Sequence, residues 1–376
     1  MSHTPSPLRH GLRWSTAGES HGPALVAILE GLPAGLAVDF DAVRAGMKKR
    51  WQGYGRGPRA KFEQDQLQVL SGFKNGVTLG TPVSLTVGNS DTRIDELPNL
   101  KAPRPGHADL AGVMRSKCRD MRAVLERASA RETAARTALG EIARQLLQRF
   151  EINIHSDVLE IGGTAKGEGP DGEPAWNQTI QAAIDSGDSL GGIFEVRADG
   201  CPPGLGGLEQ PVDRLDTRLM AALASIPAIK GVEIGLGFGG AAVPGSEYHD
   251  GIKVDSQQWG GVGRHSNRAG GIEGGLSTGL QILLKAVMKP IPTLRRGLPS
   301  VELAEMKDSR ATYERSDVCS VIPASIVGEA VVCLELASAL RARLGGFTLA
   351  EMRQAYAGLG RDENPASWPV DIGDRC

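Results

Sequence analysis

The sequence predicts one large α+β domain. One segment alternates apolar and polar residues at period two, two others repeat apolar residues at helical spacing, and no fixed-period repeat or low-complexity linker divides the 376 residues. In chain order, residues 12–17 are an apolar stretch that runs into a glycine-bearing turn. Residues 65–89 keep period-two alternation between glycine turns and read as a β-meander. Residues 129–150 switch to helical spacing, with Ala135, Ala138, Leu139, Ile142, Leu146 and Phe150 on one face and Ser129 and Glu132 as a capping box. Residues 192–198 and 231–235 read as short strands among long glycine-rich loops. A second helix is predicted over 326–344, through Ala330, Val331, Leu334, Ala337 and Leu340, and a tail from about 350 to 376.

Composition narrows the function classes. Hydrophobic residues at 40% and charged residues at 23% supply a sizeable core and exclude disorder across the chain. Gly 50 and Pro 22 make up about a fifth of the residues, against roughly 12% in ordinary usage, so many special turns are expected. Five cysteines (Cys118, Cys201, Cys319, Cys333, Cys376) form no CxxC pair, and the polar first residues carry no leader pattern. The expectation is a cytoplasmic protein with free thiols. No run of about 18 apolar residues occurs, so no membrane partner is expected.

Charge is segregated although the net value is −2. Residues 44–61 hold seven cations and no acid, and residues 101–149 hold eleven Lys/Arg against five Asp/Glu. Two such runs beside histidine turns favour an anionic ligand over two merely solvated faces. The first run also interleaves Trp51 and Tyr54, which is formally a nucleic-acid surface. Only those two aromatics serve it, no RNP or KH pattern is present and the net charge is negative, so no nucleic-acid partner is expected.

Gly235-Leu-Gly-Phe-Gly-Gly240 matches GxGxxG, but Pro244 and Gly245 follow where a dinucleotide fingerprint needs a helix, and the reading is rejected. None of the seven histidines has metal-ligand spacing, so no metal is expected. His21 lies between glycines in Gly18-Glu-Ser-His-Gly22, where the backbone can approach a ligand closely. His107 occupies a similar turn, Arg104-Pro-Gly-His-Ala-Asp109, between a cation and a carboxylate. Arg127 to Thr133 offers cations and hydroxyls at a predicted helix N-terminus, a natural phosphate site. Asn267 to Gly279 is glycine-rich, Lys289-Pro-Ile-Pro-Thr293 is a stiff run opening on a cation, and Arg315-Ser-Asp317 precedes the last long helix.

Together these runs, with Tyr54-Gly-Arg-Gly57, Gly231-Val-Glu-Ile-Gly235 and Gly270-Gly-Ile-Glu-Gly-Gly275, resemble the chorismate synthase family, collinearly over about residues 12–345. The resemblance implies a single-domain β-α-β sandwich that assembles as a homotetramer. It implies an anti 1,4-elimination converting 5-enolpyruvylshikimate 3-phosphate to chorismate and phosphate, dependent on reduced FMN without net redox change. A flavoprotein with net redox activity is the nearer rival, and no nicotinamide site is recognisable for it.

By resemblance His21 is the acid that keeps reduced flavin in its working protonation state, and His107 the acid near the departing phosphate. Asp317 is the carboxylate that relays a proton. Arg50, Arg56 and Arg131 take phosphate-bearing ligands, the substrate or NADP. Arg127, Ala128, Ser129, Pro227, Ala228, Gly274, Lys289, Pro290, Ile291, Pro292, Thr293 and Arg315 fall on FMN-binding positions. Many members have Arg-Ser-Ser where this chain has Arg127-Ala128-Ser129, and Arg-His-Asp where it has Arg315-Ser316-Asp317.

Overall fold

The computed structural model describes residues 11–169, 172–314 and 316–367. One antiparallel sheet contains β1 (Arg13–Ala17), β2 (Ala24–Glu30), β3 (Gln66–Ser71) and β4 (Val83–Gly88) in the order β1-β2-β4-β3. A second contains β5 (Asn153–Ile161), β6 (Thr164–Ala165), β7 (Gly192–Asp199), β8 (Ile229–Ile234) and β9 (Ile282–Met288) in the order β8-β9-β7-β5-β6. Along β4, Val83, Leu85 and Val87 are buried while the residues between them are partly open, the period-two pattern of a strand with one face on a core.

The helices include α1 (Phe40–Lys49), α2 (Asp109–Ser116), α3 (Met121–Ala128), α4 (Thr133–Gln148), α5 (Leu215–Ala224), α6 (Val321–Leu344) and α7 (Leu349–Ala357). Of these, α4 packs on β2 and β4, while α6 packs on β5 and β7, and the two helices lie against each other. The result is a β-α-β sandwich. α6 is long and apolar enough to span a membrane by composition, yet 83% of its most apolar window is buried between the sheets. A helix apolar on all sides is what such a middle layer requires. One polar network crosses it: Arg144 donates to Glu141 (3.1 Å) and Glu329 (2.5 Å), and Ser156 donates to Glu329 (2.6 Å).

Some boundaries differ from the sequence expectation. α6 starts at Val321 rather than 326, because Pro323 stands in the first helical turn, where no intrahelical N–H bond is lost. The expected capping box does not form. Ser129 accepts from the Arg131 N–H (3.3 Å) to cap a short 3₁₀ turn, Ala130–Glu132, and Glu132 turns away to Thr16 and Arg136. The helix proper begins at Thr133. The glycine run after β8 winds into a 3₁₀ segment, Gly237–Ala242, and a single α-helical turn, Gly245–Tyr248, follows Pro244. The segment expected as a tail from about 350 opens as α7, capped by a Thr348–Glu351 capping box and docked through buried Met352. Residues 368–376 lie outside the described part.

The close approach of α4 and α6 rests on Gly140. A Cβ added there would stand 2.5 Å from the Ala330 Cα and 2.6 Å from its carbonyl oxygen, both backbone atoms of the facing helix. In an open helix Gly→Ala stabilises by about 1 kcal/mol. Here Gly140→Ala is expected to destabilise by about 1–3 kcal/mol through overpacking, read as a lowered urea midpoint. A midpoint equal to or above that of the parent would show that the two helices are free to move apart.

Candidate active site

α1 ends at Arg50, and the cationic run that follows folds back under the start of α4 rather than along a solvated face. Arg50 is buried and donates to Asp65 (3.2 Å) and to the Thr133 hydroxyl (3.2 Å). Arg131, from the turn preceding α4, is also buried and reaches Asp65, Asn89 (2.6 Å) and the Gly88 carbonyl (3.1 Å). Arg56 pairs with Asp317, which also accepts from the Gly57 N–H (2.6 Å) and the Ser320 hydroxyl (2.7 Å). The guanidinium carbons of Arg50, Arg56 and Arg131 lie 5.3, 5.9 and 6.0 Å from the centre of the Trp51 ring. Thus the three cations assigned to phosphate by resemblance, and Asp317, form one cluster at the starts of both core helices. Burial lowers the pKa of Arg50 to about 10, against the partial compensation of Asp65.

The His21 turn joins this cluster through Arg59. Arg59 donates to the Ser20 carbonyl (2.8 Å), the Ser20 hydroxyl (3.0 Å) and Glu63 (2.9 Å), and Glu63 lies 3.5 Å from Arg131. His21 is held by Glu126 on α3: its backbone N–H donates at 2.7 Å and its Nδ1 lies 2.9 Å from the carboxylate. An ionised Glu126 fixes the proton on Nδ1 and leaves Nε2, 3.9 Å from Asp91, for chemistry. Burial would raise the Glu126 carboxyl, but the hydrogen bonds from His21 outweigh it and lower it. Ser129 meets Ser20 hydroxyl to hydroxyl (3.1 Å), and Arg127 donates to the Thr16 carbonyl (3.1 Å). Ala128, the last residue of α3, lies between them.

The second histidine centre is built on α2. Asp109, fully buried, accepts from the Arg104 backbone N–H (3.0 Å) and guanidinium (2.7 and 2.9 Å) and lies 2.5 Å from His107 Nδ1. Arg104 also donates to the Thr293 hydroxyl (3.2 Å), and Lys289 donates to the Gly106 carbonyl (2.8 Å). The stiff Lys289–Thr293 run therefore lies over the His107 turn. It is anchored by Ser189, which donates to the Ile291 carbonyl (2.6 Å), while the Leu190 N–H donates to the Val318 carbonyl (2.9 Å) beside Asp317. Ala228, with φ of +71° after Pro227, accepts from the Lys289 N–H (3.0 Å). Gly274 is not brought into this group. It sits in the turn of a hairpin near the Ile234 end of β8, whereas Ala228 is at the Ile229 end. Arg315 lies outside the described residues.

Sequence reasoning missed the partners more than the principals. Arg104 and Asp109 were flanking letters of the His107 motif, and Glu126 directly precedes Arg127, but nothing local marks Asp65, Asn89 or Asp91. Among the described residues no group of three or more His, Cys, Asp or Glu could hold a metal ion.

A sequence model of the family described as chorismate synthase matches residues 12–340. Chorismate synthase of Desulforudis audaxviator is 48% identical over 373 residues, spanning 91% of this chain and 95% of the relative. That of Thermoanaerobacter pseudethanolicus is 46% identical, spanning 92% and 97%. A solved structure titled "Crystal Structure of Chorismate Synthase" superposes with a TM-score of 0.73 at 35% identity, over 93% of this chain and 97% of that one.

The Asp109 network yields a test. Burial raises its carboxyl, but hydrogen bonds from Arg104 and His107 outweigh burial and hold it well below the ordinary value of about 3.9. A depressed carboxyl contributes stability that is complete above its unfolded pKa and is lost as pH falls through the window below about 4. Asp109→Asn is expected to flatten that acid-side loss in melting temperature measured from pH 7 to 3. It should also destabilise at neutral pH by about 3–5 kcal/mol, since Arg104 is left buried without its partner. A parental acid profile in the variant would remove Asp109 from the network.

Proposed function

This chain belongs to the chorismate synthase family, and from that premise we propose how its arginine cluster and two histidine centres divide the work. The reaction is the elimination of phosphate from 5-enolpyruvylshikimate 3-phosphate to give chorismate, and the protein is a carbon–oxygen lyase of the shikimate pathway. The observation that carries the reading is the buried group Arg50, Arg56 and Arg131 around Trp51. The Nε atoms of Arg50 and Arg56 are buried there without a hydrogen-bond partner. Buried N–H donors left unpaired cost about 1–3 kcal/mol each, a penalty that a phosphate or carboxylate oxygen would relieve. The substrate carries one phosphate and two carboxylates.

Reduced FMN, when bound, supplies electron density to the substrate as phosphate leaves and takes it back as the ring hydrogen departs. Residues suited to hold it are Arg127, Ala128, Ser129, Pro227, Ala228, Lys289 to Thr293 and Arg315. One feature supports the fit. Burial lowers the Lys289 ammonium, with Lys230 adding to the effect, so an anion beside it would be welcome. Gly274, outside this group, is exposed in its hairpin turn, and no atom lies within 4 Å of where its Cβ would stand. We infer that the Gly274 hairpin serves a site on a neighbouring subunit of a homotetramer. Exposed apolar residues support association, among them Val254 at 92% and Phe238 at 82% exposure. The free thiols Cys118, Cys201, Cys319 and Cys333 suit a cytoplasmic setting.

The proton work falls to this chain's own groups. His21, oriented through Nδ1 by Glu126, presents Nε2 beside the arginine cluster and donates a proton from it in its imidazolium form. His107, held through Nδ1 by Asp109 and with the Arg104 guanidinium 3.3 Å from its Nε2, sits where the Lys289–Thr293 run closes over its turn and, as the imidazolium, protonates the leaving phosphate. Asp317, a member of the cluster held by Arg56, Gly57 and Ser320, takes the proton lost from the ring. Fixing each group before substrate arrives is the preorganisation that makes such transfers fast.

Two outcomes test this division. Under anaerobic conditions with chemically reduced FMN, phosphate release should continue for many turnovers per reduction; one flavin oxidised per chorismate formed would refute a redox-neutral elimination. His21→Ala and His107→Ala should each bind FMN and keep the fold by circular dichroism, while turnover falls by roughly 10²- to 10⁴-fold, the usual contribution of a positioned acid. Near-parental turnover across pH 6 to 9 in either variant would return that histidine to a structural role.

A further inference from the structure

Asp65 lies at the point where three elements meet, and its backbone is held in the left-handed region, with φ of +49°. That region is rare for residues other than glycine, with Asp and Asn among the more tolerant, and such strain persists where the surroundings over-determine it. The side chain is 4% exposed. One carboxylate oxygen receives Arg50 (3.2 Å) and the Trp51 indole N–H (2.8 Å), and the other receives Arg131. A single carboxylate thereby sets the directions of two guanidinium groups and of the ring on whose faces and edges three of them gather.

Simple charge neutralisation does not describe this arrangement. Arg50, Arg56, Arg59 and Arg131 face Glu63, Asp65 and Asp317, which leaves a positive charge in surplus, and the unpaired Nε atoms of Arg50 and Arg56 remain buried. A carboxylate placed for stability alone would pair those donors too. Cations this close repel one another and, unrestrained, would splay toward solvent. Asp65 and Trp51 prevent that through two directional bonds and three cation–π contacts, while leaving donors over for an incoming anion.

We propose that Asp65, acting through Trp51, is a positioning residue that holds Arg50 and Arg131 aimed at the anionic groups of the substrate. This rests on the reading that the arginine cluster binds 5-enolpyruvylshikimate 3-phosphate. The electrostatic alternative has the opposite sign: a carboxylate that merely competes for the cations would, when neutralised, tighten substrate binding.

The test is steady-state kinetics of the full chain with reduced FMN, comparing the parent with Asp65→Asn, Trp51→Phe and a core control, Leu146→Ala. Asn keeps the left-handed backbone and one acceptor but removes the charge. KM for the substrate should rise at least tenfold in Asp65→Asn, with kcat within threefold of the parent. Trp51→Phe, which keeps a ring and removes the bond to Asp65, should raise KM about threefold and serves alone if Asp65→Asn does not fold. Leu146→Ala should lower the melting temperature with KM unchanged, separating stability from positioning. A KM at or below the parental value in both site variants overturns the proposal while leaving the function intact. A parent that releases no phosphate from this substrate overturns the function itself.

Discussion

Everything in the site depends on keeping several guanidinium groups buried without neutralising them. Arginine can bear this better than lysine because its planar fork makes several fixed hydrogen bonds and its delocalised charge tolerates an aromatic face. The protein meets the requirement by drawing partners from distant parts of the chain: Asp65 before β3, Asn89 after β4, Thr133 at the start of α4 and Asp317 ahead of α6. α4 and α6 both start beside this cluster, and along their length the close backbone contact at Gly140 keeps the two helices together. The sandwich is therefore a means of placing two helix beginnings beside one set of cations, where their positive dipole ends add to the field felt by an anion.

The two histidine centres repeat one device with different parts. Each imidazole has a buried carboxylate on Nδ1, and each carboxylate stands on a short helix; His21 Nε2 lies 3.9 Å from Asp91, whereas His107 Nε2 lies 3.3 Å from the Arg104 guanidinium. They differ in what else holds the carboxylate. Glu126 has His21 on two of its bonds and Arg122 only as a neighbouring charge, whereas Asp109 is clamped by Arg104 as well as His107. The stronger clamp belongs to the histidine assigned to the departing phosphate, where negative charge builds up and a loose cation would otherwise pair with the acid's own partner.

The parts of this architecture legible in the sequence were those with a local signature. The meander at 65–89 showed its alternation, and the 129–150 and 326–344 helices showed their apolar spacing, with ends shifted by Ser129 and Pro323 chemistry that a pattern does not resolve. His21, His107, Arg50, Arg56 and Asp317 were visible as motif residues. Their partners were not, because Glu126 lies 105 positions from His21 and Asp317 lies 261 from Arg56, and no periodicity encodes such a separation. The run of cations at 44–61 shows the limit best: as a string it favours an anionic ligand but names no partner, and only the tertiary fold turns Arg50 inward and sets Trp51 among three guanidiniums.

The glycine excess acquires a specific meaning in the same way. The excess predicts special turns, and Gly18 serves one, with φ of +108° and the Ala24 carbonyl 2.6 Å from where a Cβ would be. Gly57 is different: its φ is unexceptional at −71°, and what excludes a side chain is the Ser316 backbone 3.0 Å away and the Asp317 carboxylate at 3.1 Å. Close approach lets the Gly57 N–H reach Asp317 at 2.6 Å while Arg56, the preceding residue, takes the other oxygen. A side chain at 57 would separate the two strands of chain and with them the ion pair. The same argument governs Gly140, so glycine acts in this protein at both ends of one structural chain: it brings the core helices together, and it brings a carboxylate onto the arginine those helices support.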